Sequence, residues 1–337
     1  MLQRIMVPLD GSIFAEAALP TARLLARRHA SGLDIVRVHQ PPPPVVGGPG
    51  GDPLYDPALD RRLDREGRRY LDVLLERIEA DDRARAVSAY LHGPVVQCLS
   101  AYAQDQAIDL VVMTTHARRG VSRAWLGSVA DGLVRHSPAP VLLLRPGHEA
   151  ASPATAAAMF PRVLLPVDGA AAEDRMIEHA IAVAGTTGVE YTLLRVVESG
   201  APSVRTAIPR RGEDPGSRVQ RATVEAALGA KAEALAARGM TVRHQVVVDD
   251  DAANGILRYA VENGFDLVAM ATRSRGGLER LLLGSVADRV LRNVDAALLL
   301  WNPGQLPALD FAVAPGSLEG APEPARPYSS LVDADSH

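Results

Sequence analysis

Two aspartates stand where a short apolar strand runs out. Arg4-Ile5-Met6-Val7-Pro8 leads into Asp10-Gly11-Ser12, and Arg162-Val163-Leu164-Leu165-Pro166 leads into Asp168-Gly169-Ala170. A carboxylate at such a point closes an Asx-type turn on its own backbone, and it can accept hydrogen bonds from a ligand. Each half of the chain also carries a second feature of this kind. Residues 107 to 147 read AIDLVVMTTHARRGVSRAWLGSVADGLVRHSPAPVLLLRPG, and residues 264 to 304 read GFDLVAMATRSRGGLERLLLGSVADRVLRNVDAALLLWNPG. The offset is constant (264 − 107 and 284 − 127 are both 157), and GSVAD is identical at 127–131 and 284–288. Each copy reads as a buried strand, a Gly/Arg loop, a helix opening at Gly-Ser and a second buried strand. A helix start offers unpaired N–H groups and the positive end of the dipole, so the implied chemistry is anion binding. Arg118 and Arg119 in one loop, and Arg273 and Arg275 in the other, could add charge-assisted contacts to phosphate.

Other chemistry is poorly served. The histidines show no metal-ligand spacing, and His116, in the first loop, is replaced by Arg273 in the second. Cys98 is the only cysteine, so no intrachain disulfide forms, and its helical setting marks it as a small core or boundary residue. A net charge of −4 with a pI near 6.2 argues against a nucleic-acid partner. No apolar run approaches a membrane span, and MLQRIMVPLDGS reads directly as a strand, so the expected location is the cytoplasm.

The elements that position these residues follow from the apolar pattern. With aromatics at only 4%, the cores must be built from Val, Leu, Ile and Ala. Strands are expected at 2–8, 33–39, 84–91, 109–114 and 140–145. Helices are expected at 13–30 (kinked or split by Pro20), around Leu59 to Ile78, at 95–106 and at 127–137. The second half repeats the order, with helices at 171–185, 217–237 and 252–263 and strands at 190–197 and 241–248. Pro/Gly-rich loops fill 41–57 and 199–216; each is either a lid over a site or a spacer. The fold class is therefore α/β, with two tandem doubly wound domains at 1–146 and 161–304. A linker spans 147–160 and a flexible tail 305–337. Parallel strands joined by right-handed crossovers place the ligand crevice beyond the strands' carboxyl ends.

With VPLDGS at 7–12, LPVDGA at 165–170 and two loops ending in LGSVAD, the chain resembles a tandem universal stress protein, over about 1–145 and 160–302. The resemblance implies a five-stranded parallel sheet per domain, order 3-2-1-4-5, with helices on both faces. It also implies ATP, with Mg²⁺ as its companion, bound by a G-x-x-G-x9-G-[ST] loop. That pattern falls on Thr114, Ala117, Gly127 and Ser128, and on Ala271, Ser274, Gly284 and Ser285, so both early glycines are replaced in both halves. Gly120 survives in the first loop and Arg275-Gly276-Gly277 in the second. The remaining site residues implied are Asp10, Gly11, Ser12, Val38, Asp168, Gly169 and Val197, with Asp10 and Asp168 set against the nucleotide's ribose or base.

The expected function is an adenine-nucleotide-binding, stress-response regulatory protein; the alternative is a scaffold of the same fold with empty crevices. With no His-x-Gly-His element, no intact Walker loop and no paired acid and base in the loops, an enzyme is not expected, beyond weak ATP hydrolysis. The last strands, Val141 to Leu144 and Ala297 to Leu300, are wholly apolar sheet edges, which invite pairing. The two halves are expected to join through them as an intramolecular pseudo-dimer. A homodimer of such chains is compatible with the sequence.

Overall fold

The structure, a computed structural model, describes residues 2–43, 45–46, 53–54, 56–81, 85–115, 127–145, 158–170, 172–198, 215–272 and 283–304. In the first half the elements run β1 (Arg4–Pro8), α1 (Ile13–Glu16), α2 (Leu19–His29), β2 (Gly32–His39), β3 (Val45–Val46), β4 (Pro53–Leu54), α3 (Pro57–Asp81), β5 (Ala86–His92), α4 (Val95–Asp105), β6 (Leu110–Thr114), α5 (Ser128–His136) and β7 (Val141–Leu144). The second half gives β8 (Arg162–Pro166), α6 (Glu173–Ala184), β9 (Glu190–Glu198), α7 (Pro215–Ala236), β10 (Thr241–Asp249), α8 (Ala252–Asn263), β11 (Leu267–Ala271), α9 (Ser285–Asn293) and β12 (Ala297–Trp301). Pro20 sits in the first turn of α2 and starts that helix, splitting the expected long helix in two. Within the 41–57 loop, β3 and β4 pair as a short antiparallel ribbon.

Ten strands form one sheet in the order β10-β9-β8-β11-β12-β7-β6-β1-β2-β5. Each half is wholly parallel and has the 3-2-1-4-5 order. The halves meet where β12 pairs antiparallel with β7, Leu299 opposite Leu142. The apolar edges thus cover each other, as their composition demands.

Strand residues alternate between two cores, and both cores run across the seam. One holds Ile5, Val7, Ile35, Leu142 and Leu299 beneath α2, α3, α6 and α7. The other holds Met6, Val36, Leu143 and Leu298 beneath α4, α5, α8 and α9. Burial on both faces is why these strands read as unbroken apolar runs. Ala158, Met159 and Phe160, counted within the linker by composition, are buried in the first of these cores.

Polar contacts reinforce the seam. Arg145 Nη2 donates to the Leu291 carbonyl in the last turn of α9 (2.6 Å), and Asn302 Nδ2 donates to the Arg135 carbonyl in the last turn of α5 (3.2 Å). Arg145 and Asn302 are equivalent positions (302 − 145 is 157), so each half caps a helix end of the other. Arg28 Nη1 donates to the carbonyls of Val183 and Ala184, and the His29 Nε2–H donates to that of Ala182, at the C-terminal end of α6.

Burial pushes the imidazoliums of His29 and His179 below their ordinary value; the His29 bond to Ala182 opposes the shift without cancelling it. His179 lies edge-on to Trp301, with ring centroids 5.1 Å apart. A histidine held neutral by folding takes up its proton more readily in the unfolded chain. Stability from these two residues is therefore fully present above the ordinary histidine value of about 6.5 and falls as the pH drops below it. The urea midpoint is expected to decline between about pH 7 and pH 5.5, with a shallower decline in His179→Gln. An identical slope in the variant would overturn the assignment.

Candidate functional site

The crevice of each half lies at the carboxyl ends of its first and fourth strands, β1 with β6 and β8 with β11, where strand order reverses. In the second half, β8 is followed by a tight turn. The Ala170 N–H donates to Asp168 Oδ1 (2.9 Å), so Asp168 does form the Asx-type turn. Gly169 adopts φ +79°, a conformation that favours glycine. Its N–H donates to Glu173 Oε2 at 2.8 Å, and Glu173, the first residue of α6, is only 8% exposed. Lys231 Nζ on α7 donates to Glu173 Oε1 and to Asp174 Oδ1. Arg195 Nη1 on β9 donates to the Val167 carbonyl at 3.1 Å.

On the opposite wall β11 ends at Ala271, and Gly284 returns its N–H to the Thr272 carbonyl at 2.9 Å. A Cβ at Gly284 would stand 2.9 Å from that carbonyl oxygen, so the position requires glycine. Gly284 is the N-cap of α9, and no side chain caps the helix. Between the walls lies a cavity of about 540 Å³, lined by Asp168, Glu173, Arg195, Val197, Glu198, Ala271, Thr272, Gly284 and Ser285 over an apolar floor that includes Met176, Ile177 and Ile256.

The first half starts from the same plan and departs from it. The Ser12 N–H donates to Asp10 Oδ1 (2.8 Å), Gly11 has φ +89°, and Ser12 Oγ caps α1 by accepting from the Ala15 N–H. Here the chain forms α1, and Thr114 Oγ1 donates to the Phe14 carbonyl at 2.6 Å, tying α1 to the end of β6. The second half has Ala172 in place of Phe14 and Ala271 in place of Thr114, so it cannot make that bond. Val38 is half-buried near the end of β2, and Gly127 and Ser128 open α5 without a side-chain cap.

Of the residues picked out by sequence, Asp168, Val197, Ala271, Gly284 and Ser285 converge on one cavity, and Gly169 shapes its turn. Asp10, Gly11, Ser12 and Thr114 assemble around α1. Ala117, Gly120, Ser274, Arg275, Gly276 and Gly277 lie outside the described residues, as do His116, Arg118, Arg119 and Arg273. Glu173, Lys231 and Arg195 were not anticipated. Arg195 carried a signal, because Arg37 stands at the equivalent position beneath Gly11. Among the described residues no His/Cys/Asp/Glu cluster could hold a metal, and no helix is long and apolar enough to cross a membrane.

This architecture defines a doubly wound α/β protein duplicated within one chain. The universal stress protein family matches residues 1–145 and 159–301, and the chain belongs to that family. A universal stress protein of Thermus aquaticus is 30% identical over 145 residues, 43% of this chain and all of its own. One from Mycobacterium tuberculosis is 26% identical over 328 residues and covers 90% of this chain and 96% of its own. The crystal structure of a universal stress protein from Archaeoglobus fulgidus superimposes with a TM-score of 0.63 at 19% identity, covering 89% of this chain and 98% of that one.

Proposed function

We propose that the second half binds an adenine nucleotide, ATP with Mg²⁺ foremost, and that the protein acts as a nucleotide-responsive stress regulator rather than an enzyme. The observation that carries this reading is the cavity between Asp168 and the uncapped start of α9. Its volume of about 540 Å³ suits a small molecule. A carboxylate on one wall matches ribose hydroxyls, and helix-start N–H groups with the Ser285 hydroxyl match phosphate oxygens. The apolar floor between them suits a base. Glu173 and Arg195 are engaged by the protein's own groups, which supports a binding site over a catalytic one. In the first half, the Thr114–Phe14 bond at the crevice favours a structural role, so the scaffold reading applies to that half. The domains at 1–146 and 161–304 then divide the work as support and receptor.

Calorimetric titration of the nucleotide-stripped chain with ATP and Mg²⁺ tests this. One site per chain is expected. Asp168→Ala should weaken it at least tenfold, roughly the worth of a charged hydrogen-bond acceptor, and Asp10→Ala should leave it intact. No heat and no thermal shift at millimolar ATP would refute binding; loss in Asp10→Ala alone would move the site to the other half.

A further inference from the structure

The two halves close the same Asx turn after their first strand and differ in what stands behind it. In the first half, Ser12 caps α1 through the Ala15 N–H. In the second half residue 170 is alanine, and the position equivalent to Ala15 is Glu173 (173 − 158 is 15). Its carboxylate reaches back four residues, past the start of α6, and accepts from the Gly169 N–H in the turn.

We propose that Glu173 is a positioning residue for the nucleotide cavity: by holding the Gly169 N–H, it sets the direction in which Asp168 presents its carboxylate to a ribose. This rests on the nucleotide reading of the cavity. Three observations support it. Glu173 is buried and lines the cavity. The N–H it accepts belongs to the residue between Asp168 and Ala170, the two ends of the Asx turn. Lys231 bridges Glu173 and Asp174, so the carboxylate is balanced and anchored to α7. Burial alone would lower the Lys231 ammonium, but its bonds to Asp174 and Glu173 outweigh that and hold it above its ordinary value. Glu173 Oε2 thus holds the turn while its Oε1 is held by Lys231.

Two readouts on the full chain test the role. Amide hydrogen exchange across residues 167–172 of the ligand-free protein reads the turn, and calorimetry with ATP and 2′-deoxy-ATP reads the ribose contact. Glu173→Ala is expected to speed exchange and to weaken ATP about tenfold while leaving 2′-deoxy-ATP nearly unchanged, so that the preference for the ribose hydroxyl collapses. Glu173→Gln keeps an acceptor for the Gly169 N–H and should restore most of both. Equal weakening of the two nucleotides, or no change in either, would overturn the proposal. If the wild-type chain binds neither nucleotide, the nucleotide reading fails and the ribose part of the proposal with it. Unchanged exchange in Glu173→Ala refutes the turn-holding role whichever way the nucleotides behave.

Discussion

Truncating Leu299 to alanine is expected to cost about 2–5 kcal/mol of stability, and Leu142→Ala as much. Both side chains are fully buried, they are register partners across the β7–β12 seam, and they share one core. Each truncation removes apolar contacts where a continuous core surrounds the site and cannot collapse around the void. The pair should also be non-additive, because after the first truncation the second removes a side chain that has already lost its neighbour. Urea unfolding of both single variants and the double variant measures these values. Losses under about 0.5 kcal/mol, the level of an ordinary surface change, would mean that the seam is not packed as described.

The second large effect is expected at Asp34, a buried carboxylate on β2, one strand in from the sheet's edge. Arg4 donates to it through Nη2 (2.6 Å) and Nε (3.4 Å), and the Tyr102 hydroxyl donates at 2.8 Å. Arg4 Nη1 also reaches Gln106, through both its carbonyl and its side-chain oxygen. Asp34→Ala leaves the Tyr102 phenol without its acceptor and Arg4, a third exposed, with Gln106 alone, and should cost about 2 kcal/mol. Asp34→Asn, which keeps an acceptor, should cost less. Tyr102→Phe should cost about 1 kcal/mol, the usual worth of one hydrogen bond. The second half shows what a rewired site looks like: Thr192 replaces the aspartate, and Arg162 lies over the Phe265 ring at 5.4 Å. Thermal and urea melts of the three variants decide the matter; a neutral Asp34→Ala would show that the network contributes nothing.

Much of this architecture was readable because it is written twice. The gap-free repeat at 107–147 and 264–304, with strands alternating with helices in each half, led to two doubly wound units, and the family resemblance supplied their strand order. The wholly apolar runs at 141–144 and 297–300 pointed to the seam, since such a run needs cover on both faces and at its edge. The candidate site was only half legible for the same reason. Reading by recurrence finds what the halves share, and Glu173 has no counterpart but Ala15. The Thr114–Phe14 bond joins residues 100 positions apart and depends on α1, a four-residue helix too short to show a period. The reciprocal caps by Arg145 and Asn302 escaped notice because equivalent places need not hold identical residues.

The antiparallel seam has an evolutionary consequence. Two separate copies that associated through this edge would be bound to sameness: any substitution would appear in both crevices at once, and a change that spoiled one would spoil the other. A peptide link between the copies makes their meeting intramolecular and frees each to drift alone. The two halves differ in this way, with Phe14 and Thr114 on one side and Ala172, Ala271 and Glu173 on the other. A fused pair can keep one chamber for a ligand and turn its twin into a strut, which an assembly of identical chains cannot do.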